Sequence, residues 1–149
     1  MIKYDTLLEN EIPSLLELYK QLNVANDISI NKFDFIKKWQ EIKKCNIKYF
    51  VAKENDTIIA SCYICIIPQL TYLGKSIGYI ENVIVDEKYR GKGIGKQIIE
   101  NAINYAVNEN CNKVLLQSGM DRKKAHKFYE SIGFDGETKK AFVKRLNNG

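Results

Sequence analysis

Two helix-like repeats of apolar side chains open the chain. Over residues 10–23, leucine, isoleucine and tyrosine side chains recur every three or four positions, which predicts an amphipathic helix. Over residues 31–44, Phe33, Ile36 and Trp39 follow the same helical spacing. The chain therefore begins with two predicted helices, each with an apolar side to bury against another element.

The spacing changes to that of strands in the middle of the chain. Residues 49–53 and 57–67 are rich in β-branched and aromatic side chains, and the sequence Glu54-Asn55-Asp56 between them favours a hairpin turn. Residues 77–85 form a further predicted strand. A charged turn over residues 86–92 then leads to a helix with a broad apolar stripe, as expected of a helix that lies on a sheet.

The order of the elements predicts the fold class. In chain order they are helices over residues 10–23 and 31–44, strands over 49–53, 57–67 and 77–85, a helix over 93–108, a strand over 113–117, a helix over 122–131 and a strand over 141–146. This order predicts an α/β fold in which one mixed sheet has helices on both faces. The strand–helix–strand unit over residues 77–117 is expected to form a right-handed parallel crossover. A length of 149 residues is typical of one domain, expected over residues 1–149.

Charge and composition exclude several functional classes. The chain has 23 Lys and Arg against 18 Asp and Glu, a net charge of +5. The lysines are scattered and accompany no nucleic-acid-binding motif, so we expect no nucleic-acid partner. No apolar run approaches the roughly 18 residues of a membrane span, and the N-terminal residues contain no apolar signal core. We therefore expect a cytoplasmic protein with no membrane partner.

Cys62 and Cys65 have the CxxC spacing of some metal and redox sites. A zinc site needs further ligands, and the sequence has neither a second cysteine pair nor a histidine other than His126. The pair also lies within an apolar strand pattern, whereas a redox CxxC normally opens a helix. We therefore expect no metal, and we interpret these cysteines as buried or half-buried side chains that act as small hydrophobes.

The stretch Tyr-Arg-Gly-Lys-Gly-Ile-Gly-Lys over residues 89–96 is the part of the sequence that most clearly indicates chemistry. Glycines allow a positive φ and the close approach of a ligand. Free amides at a helix start, with Arg90, Lys92 and Lys96 nearby, favour a phosphate or pyrophosphate. The spacing excludes a P-loop, which would require glycine at position 90, and a dinucleotide fingerprint, which would require glycine at position 96.

Two motifs in this order resemble those of a known superfamily. Arg90, Gly93 and Gly95 have the spacing Arg-x-x-Gly-x-Gly, and Ala125 begins the run Ala-His-Lys-Phe-Tyr-Glu-Ser-Ile-Gly-Phe. They resemble the signatures Gln/Arg-x-x-Gly-x-Gly/Ala and Ala-x-x-Phe-Tyr-x-x-x-Gly-Phe of the GCN5-related N-acetyltransferase (GNAT) superfamily. The resemblance covers essentially the whole chain. It implies the GNAT fold, a central, mostly antiparallel twisted sheet with one parallel crossover and helices on both faces.

The resemblance also implies acetyl-CoA as the cosubstrate. The residues expected to hold its pyrophosphate are Arg90, Gly91, Lys92, Gly93, Ile94, Gly95 and Lys96. The backbone of Val83, Ile84 and Val85 is expected to contact the pantetheine arm, where the family's strand splays from the next one. Many members have Asn where this chain has Arg122, which could reach a coenzyme phosphate or the substrate instead, or simply start the helix.

Tyr129 and Glu81 are the candidate catalytic residues. By resemblance, Tyr129 is the general acid that protonates the sulfur of coenzyme A; the alternative is a core aromatic that packs beside Phe128. Glu81 is the candidate general base, acting directly or through water. Alternation along the strand puts Glu81 on the face of Val83 and Val85, where a carboxylate is costly to bury unless it is used or paired. Its alternatives are a salt bridge or an exposed strand end.

The expected function is direct transfer of an acetyl group from acetyl-CoA to the primary amine of a small molecule, with an amino sugar or a related metabolite as one option. The sequence Ile-Glu-Asn at residues 80–82 resembles the glucosamine-phosphate N-acetyltransferases, although those usually have Glu-Asp at the last two positions. Two alternatives stay open: a protein or peptide N-acetyltransferase, and a non-catalytic acyl-CoA-binding sensor module. The acceptor pocket is expected around the first two helices, their connection over residues 24–30 and the last strands. Homodimers are common in the family, so a homodimer is an open expectation.

Overall fold

The structure is a computed structural model that describes residues 1–22 and 33–146. Its internal contacts divide the chain into two units, residues 1–116 and residues 117–149. The first unit contains a sheet with three helices, and the second contains a fourth helix. The expectation that residues 1–149 form one domain stays a prediction.

Five strands form the sheet of the first unit, side by side in chain order. They are β1 (Lys3–Thr6), β2 (Ile47–Glu54), β3 (Thr57–Ile67), β4 (Ser76–Val85) and β5 (Cys111–Leu115). Neighbouring strands are antiparallel from β1 to β4, whereas β4 and β5 are parallel. The predicted mixed sheet with one parallel pair is therefore confirmed for the described residues.

Helices cover both faces of this sheet. They are α1 (Ile12–Tyr19), α2 (Phe35–Lys43) and α3 (Ile94–Asn108). The apolar side of α1 packs in a core cluster with Val51, Ile58 and Ile84. The opposite face receives α3, and Gly78 makes room for it, since a Cβ at this position would lie 2.9 Å from Ile64 Cδ1 and 3.3 Å from Ala106 Cβ. The second unit contains α4 (Lys123–Ser131).

Part of the predicted helix–helix region lies outside the described residues. This applies to position 23, to the predicted connection over residues 24–30 and to positions 31 and 32 of the second predicted helix. The described part of that helix begins at Phe35, because the side chain of Asp34 accepts a hydrogen bond from the Lys37 backbone N–H at 3.0 Å and caps the first turn.

β1 was not predicted, and β5 was predicted two residues too late. The residues of β1 are mostly exposed and show no apolar alternation, so their strand character comes from backbone pairing with β2. β5 begins at Cys111 rather than 113, because Asn110 adopts a φ of +59° and ends the helix before it. The first residue of β5 is therefore set by the turn before it, and the spacing of apolar residues does not show where that turn ends.

The predicted strand over residues 141–146 is wrong. These residues form no strand in the structure, and Phe142, Val143 and Leu146 are 87%, 65% and 74% exposed. Their composition favours extended backbone, but a strand also requires a neighbouring backbone for hydrogen bonding. The composition of a segment does not show whether another strand lies beside it.

Cys62 is buried and Cys65 is half-buried, which confirms the interpretation of the CxxC pair. Burial raises the pKa of the Cys62 thiol to about 12. Within residues 1–22 and 33–146, no cluster of three or more His, Cys, Asp and Glu side chains could hold a metal ion. The helices in the same residues are too short or too polar to cross a membrane.

Candidate active site

β4 extends beyond its pairing with β5. The parallel ladder between the two strands begins at Ser76 and Cys111 and ends at Tyr79 and Leu115, whereas β4 continues to Val85. The continuation remains paired with β3 on its other side. This continuation contains Val83, Ile84 and Val85. It therefore has β3 on one side, and its other side lies beyond the last residue that pairs with β5.

A bulge interrupts this same segment of β4. Tyr63 of β3 lies opposite Glu81, and Ser61 lies opposite Ile84, so two steps along β3 match three steps along β4. Asn82, at the bulge, has a φ of +52°. An extra residue of this kind bends the strand and redirects its backbone groups.

The bulge corrects the expected orientation of Glu81. Simple alternation predicted that Glu81 shares a face with Val83 and Val85. Because Ser61 and Tyr63 are two residues apart on β3, their partners Ile84 and Glu81 lie on one face instead. Ile84 belongs to the core cluster under α1, so Glu81 is on the α1 side of the sheet.

The glycine-rich turn forms a cradle at the start of α3. Gly91 and Gly93 have φ values of +77° and +80°, and a Cβ at either position would meet nothing within 4 Å. Gly93 immediately precedes α3, and no side chain caps the helix. The first amides of a helix have no acceptor within it, so this open turn can receive an anion. The residues of the glycine-rich motif thus lie together in one turn at the start of α3.

The cradle is tied to other parts of the first unit. The Tyr89 hydroxyl donates a hydrogen bond to Glu54 Oε2 in the β2–β3 hairpin, and this bond raises the pKa of Tyr89. The Lys92 ammonium lies 5.4 Å from the centre of the Tyr89 ring. Arg90 Nε donates to the Val85 carbonyl at 3.0 Å. Sequence reasoning missed Glu54, because its partner is 35 residues away and no local spacing joins them.

Glu81 is half-buried, and two half-buried tyrosines are its neighbours on the sheet. It faces Tyr63 across the strands, and Tyr79 precedes it by two positions on the same strand. Burial is the main cause of the raised pKa of both phenols, and the negative charge of Glu81 adds to it. Sequence reasoning identified Glu81 but not these neighbours, since the cross-strand register was unknown.

In the second unit, Tyr129 is 9% exposed and packs between two phenylalanines of the same segment. Its ring centre lies 5.3 Å from that of Phe128 and 6.1 Å from that of Phe134. The Phe134 N–H also donates to the Tyr129 carbonyl at 3.0 Å, beyond the end of α4. This packing fits both interpretations of Tyr129, and its catalytic role stays a prediction.

Arg122 immediately precedes α4 and is exposed. Its backbone N–H donates to the Gly119 carbonyl at 3.0 Å, and its own carbonyl accepts the His126 N–H at 3.1 Å. His126 Nε2 lies 2.7 Å from the Gly119 carbonyl oxygen. Arg122 therefore starts the helix, one of its expected roles, and any contact with the coenzyme stays a prediction.

Comparisons with known proteins agree with this arrangement. A family model described as "Acetyltransferase (GNAT) family" matches residues 12–134. A Trypanosoma brucei brucei protein named glucosamine 6-phosphate N-acetyltransferase is 33% identical over 126 residues, which cover 85% of this chain and 84% of that protein. A Xenopus laevis protein named N-alpha-acetyltransferase 30 is 44% identical over 57 residues, which cover 38% of this chain and 21% of that protein. Among solved structures, a putative acetyltransferase from Agrobacterium tumefaciens superposes with a TM-score of 0.88 at 32% identity, covering 97% of this chain and 99% of that one.

Proposed function

This chain belongs to the GNAT family of acetyltransferases, and we propose that it transfers the acetyl group of acetyl-CoA directly to the primary amine of an amino sugar. Membership of the family makes it an acetyl-CoA-dependent N-acetyltransferase. The amino-sugar acceptor is the proposed part, and it rests on the T. brucei brucei relative, which aligns with most of this chain.

The observation that carries the coenzyme-binding part of the proposal is the open cradle before α3. Gly91 and Gly93 hold left-handed backbone with free space above them. The side chains of Arg90, Lys92 and Lys96 bring positive charge to the same turn. A pyrophosphate fits this combination of amides, helix N-terminus and cations. The continuation of β4 past β5 supports backbone contacts from Val83, Ile84 and Val85 to the pantetheine arm.

Glu81 is proposed to remove the proton of the attacking amine. An alkyl amine is mostly protonated at neutral pH, so nitrogen can attack only after it loses a proton. When bound, acetyl-CoA supplies the thioester, and transfer forms a C–N bond while the C–S bond breaks. The half-buried carboxylate of Glu81 receives the amine proton directly or through one water.

Tyr129 is proposed to return a proton to the departing sulfur. A phenol is protonated at pH 7, and its pKa near 10 is close to that of a thiol. The tyrosine ring contacts the rings of Phe128 and Phe134, which restricts its movement. The proton that Tyr129 gives up is replaced from solvent after the products leave.

A panel of acceptors tests the amino-sugar assignment. Purified protein with acetyl-CoA is offered glucosamine 6-phosphate, glucosamine and a peptide with a free N-terminus, and both thiol release and product mass are measured. We expect amine-dependent thiol release with at least one amino sugar, and an acetylated sugar of the corresponding mass. Faster acetylation of the peptide than of either sugar would contradict the proposal.

A specific observation favours a second candidate, a protein or peptide N-acetyltransferase. The match to N-alpha-acetyltransferase 30 has the higher identity, although it covers a smaller share of both chains. The peptide in the panel tests this candidate. A non-catalytic acyl-CoA sensor would instead bind the coenzyme and release no thiol with any amine.

A homodimer also belongs to this proposal. The exposed side chains of Phe142, Val143 and Leu146 support it, since large apolar side chains left in solvent are candidates for an interface. Light scattering coupled to gel filtration tests the assembly, and a monomer at micromolar concentration would contradict it. A cytoplasmic location and the lack of nucleic-acid and membrane partners stay predictions.

A further inference from the structure

A cavity of about 200 Å³ lies at the end of the sheet where β2 begins. We name it the edge cavity and define it by five of the residues that line it, Trp39, Lys43, Lys48, Tyr49 and Tyr105. The first two belong to α2, the next two to β2 and the last to α3. Three elements that are separate in the sequence therefore bring two lysines and three aromatic rings to one place.

The edge cavity is separate from the cradle before α3. Ile47, which also lines the cavity, lies opposite Cys65 of β3. The cradle follows the end of β4 at Val85, which lies opposite Ala60 of β3. Cys65 and Ala60 are five positions apart, which corresponds to about 17 Å along a strand. A ligand in the edge cavity therefore leaves the proposed pyrophosphate site free.

β1 covers only part of the edge of β2. Beyond the last residue of β1, the Leu7 N–H donates to the Tyr49 carbonyl at 3.1 Å, so the backbone groups of Tyr49 face the β1 side. Backbone groups of residues two apart in a strand face the same side, so those of Ile47 face this side as well. Among the described residues, no strand pairs with Ile47 there. The Ile47 N–H is therefore a hydrogen-bond donor at the wall of the cavity.

The two lysines of the edge cavity bring positive charge that no carboxylate neutralises. Within residues 1–22 and 33–146, neither Lys43 nor Lys48 forms an ion pair. The Lys48 ammonium lies 5.6 Å from the centre of the Tyr105 ring. The carboxylate of Glu109 accepts a hydrogen bond from Asn46 Nδ2 at 2.7 Å instead. Since opposite charges attract most strongly where solvent is partly excluded, the half-buried Lys48 favours an anion in this cavity.

Size and aromatic rings restrict the class of anion. Trp39 meets Tyr49 edge-on, with ring centres 5.9 Å apart. Aromatic rings of a ligand pack favourably against such side chains. A cavity of about 150 Å³ is known to hold one benzene molecule, so the edge cavity admits a ligand with one ring. A carboxylate suits the remaining groups, because it accepts hydrogen bonds from ammonium groups and from a backbone N–H.

We propose that the edge cavity binds a compact aromatic carboxylate, a ligand that acetyl transfer does not use. The carboxylate contacts the ammonium groups of Lys43 and Lys48 and accepts a hydrogen bond from the Ile47 N–H. The ring of the ligand packs against Trp39 and Tyr49. This site goes beyond the proposed function, because neither the cradle nor the proposed catalytic residues take part in it.

Fluorescence of Trp39 measures the binding, because this residue is the single tryptophan of the sequence and lines the cavity. Phenylacetate is the probe, and phenylacetamide is the neutral ligand of similar shape. We expect a saturable change with phenylacetate that added salt weakens, and a dissociation constant for phenylacetamide at least about fourfold higher. Saturating coenzyme A should leave phenylacetate binding unchanged. A response that does not saturate, equal affinities for the two ligands, or competition by coenzyme A would overturn the proposal.

Two single substitutions locate the ligand. Lys43→Met and Lys48→Met each remove a charge and keep most of the side chain. Each should raise the dissociation constant of phenylacetate by about 2- to 5-fold, the range for one partly exposed charge pair, and leave that of phenylacetamide unchanged. Lys44→Met is the matched control, because Lys44 is exposed, follows Lys43 directly and is not among the residues that line the cavity.

The control variant should bind phenylacetate as the wild type does. An equal loss of affinity in all three variants would indicate a general effect of net charge and would overturn the proposal. Wild-type affinity in both Lys43→Met and Lys48→Met would overturn it as well.

Discussion

Tyr89 donates its phenolic hydrogen bond to Glu54, which ties the turn before α3 to the hairpin between β2 and β3. The ring also lies beneath the Lys92 ammonium, so one side chain contacts both the hairpin and a cation of the cradle. The position of the proposed pyrophosphate site thus depends on a contact between residues far apart in the sequence.

Removal of that contact should weaken coenzyme binding without slowing chemistry. Tyr89→Phe keeps the ring but removes the donor, so the cradle loses an anchor. We expect the dissociation constant of coenzyme A to rise by up to about tenfold and kcat to stay within twofold of wild type. Glu54→Gln keeps an acceptor oxygen and should lose less affinity. Calorimetric titration provides the measurement, and unchanged affinity in Tyr89→Phe would contradict the positioning role.

Gly93→Asp should prevent coenzyme binding. The substitution puts a side chain and a negative charge where the proposed ligand has its own negative charge, and it strains a backbone with a φ of +80°. Gly74→Asp is the matched control, because Gly74 has the same φ and equally open space but lies outside the cradle. We expect a loss of coenzyme affinity of more than about tenfold in Gly93→Asp alone, measured by calorimetry on protein that still melts cooperatively. Equal affinities in the two variants would locate the coenzyme elsewhere.

Tyr129→Phe should lower turnover and leave the affinity for the coenzyme almost unchanged. The change keeps the ring between Phe128 and Phe134 but removes the proton that is proposed to reach the sulfur. General-acid assistance typically contributes about 100- to 10,000-fold, so kcat should fall by that order while coenzyme affinity hardly changes. Steady-state thiol release measures the first quantity and calorimetry the second. Wild-type turnover in this variant would show that Tyr129 only packs.

Glu81→Gln should slow the reaction in a way that depends on pH. The carboxamide cannot accept the amine proton, so turnover then depends on the fraction of amine that is already neutral. We expect the rate to recover as pH rises towards the pKa of the acceptor, whereas Tyr129→Phe should stay slow over the same range. Profiles of kcat against pH for both variants provide the test. A constant ratio of Glu81→Gln to wild type at all pH values would exclude Glu81 as the base.

Cys62 should make the fold sensitive to alkali. Its side chain is fully buried, and burial raises the pKa from 9.0 to about 12. The folded state therefore holds the thiol proton more tightly than the unfolded state, so the contribution to stability is present below pH 9 and is lost between pH 9 and 12. Relative to Cys62→Ala, the free energy of unfolding of wild type should fall by up to about 4 kcal/mol over this range. Parallel curves in urea titrations across these pH values would refute the prediction.

The features that depend on neighbouring residues can be predicted from the sequence alone. The turn over residues 89–96 and helix α3 follow from contiguous glycines and apolar spacing, because left-handed backbone and helical periodicity are local properties. The hairpin between β2 and β3 was also predictable, because a short turn sequence joins two strand-like segments. The motifs of this turn and of α4 led to the family that the comparisons then showed.

The features that depend on pairing between distant strands become visible in the folded chain alone. The bulge at Asn82 moved Glu81 from the expected face of Val83 and Val85 to the face of Ile84, because one extra residue reverses the alternation. β1 exists through its backbone pairing with β2, and residues 141–146 form no strand although their composition favours one. Strand register and edge pairing are set by backbone hydrogen bonds between segments far apart in the chain, and the spacing of side chains within one segment contains no information about them.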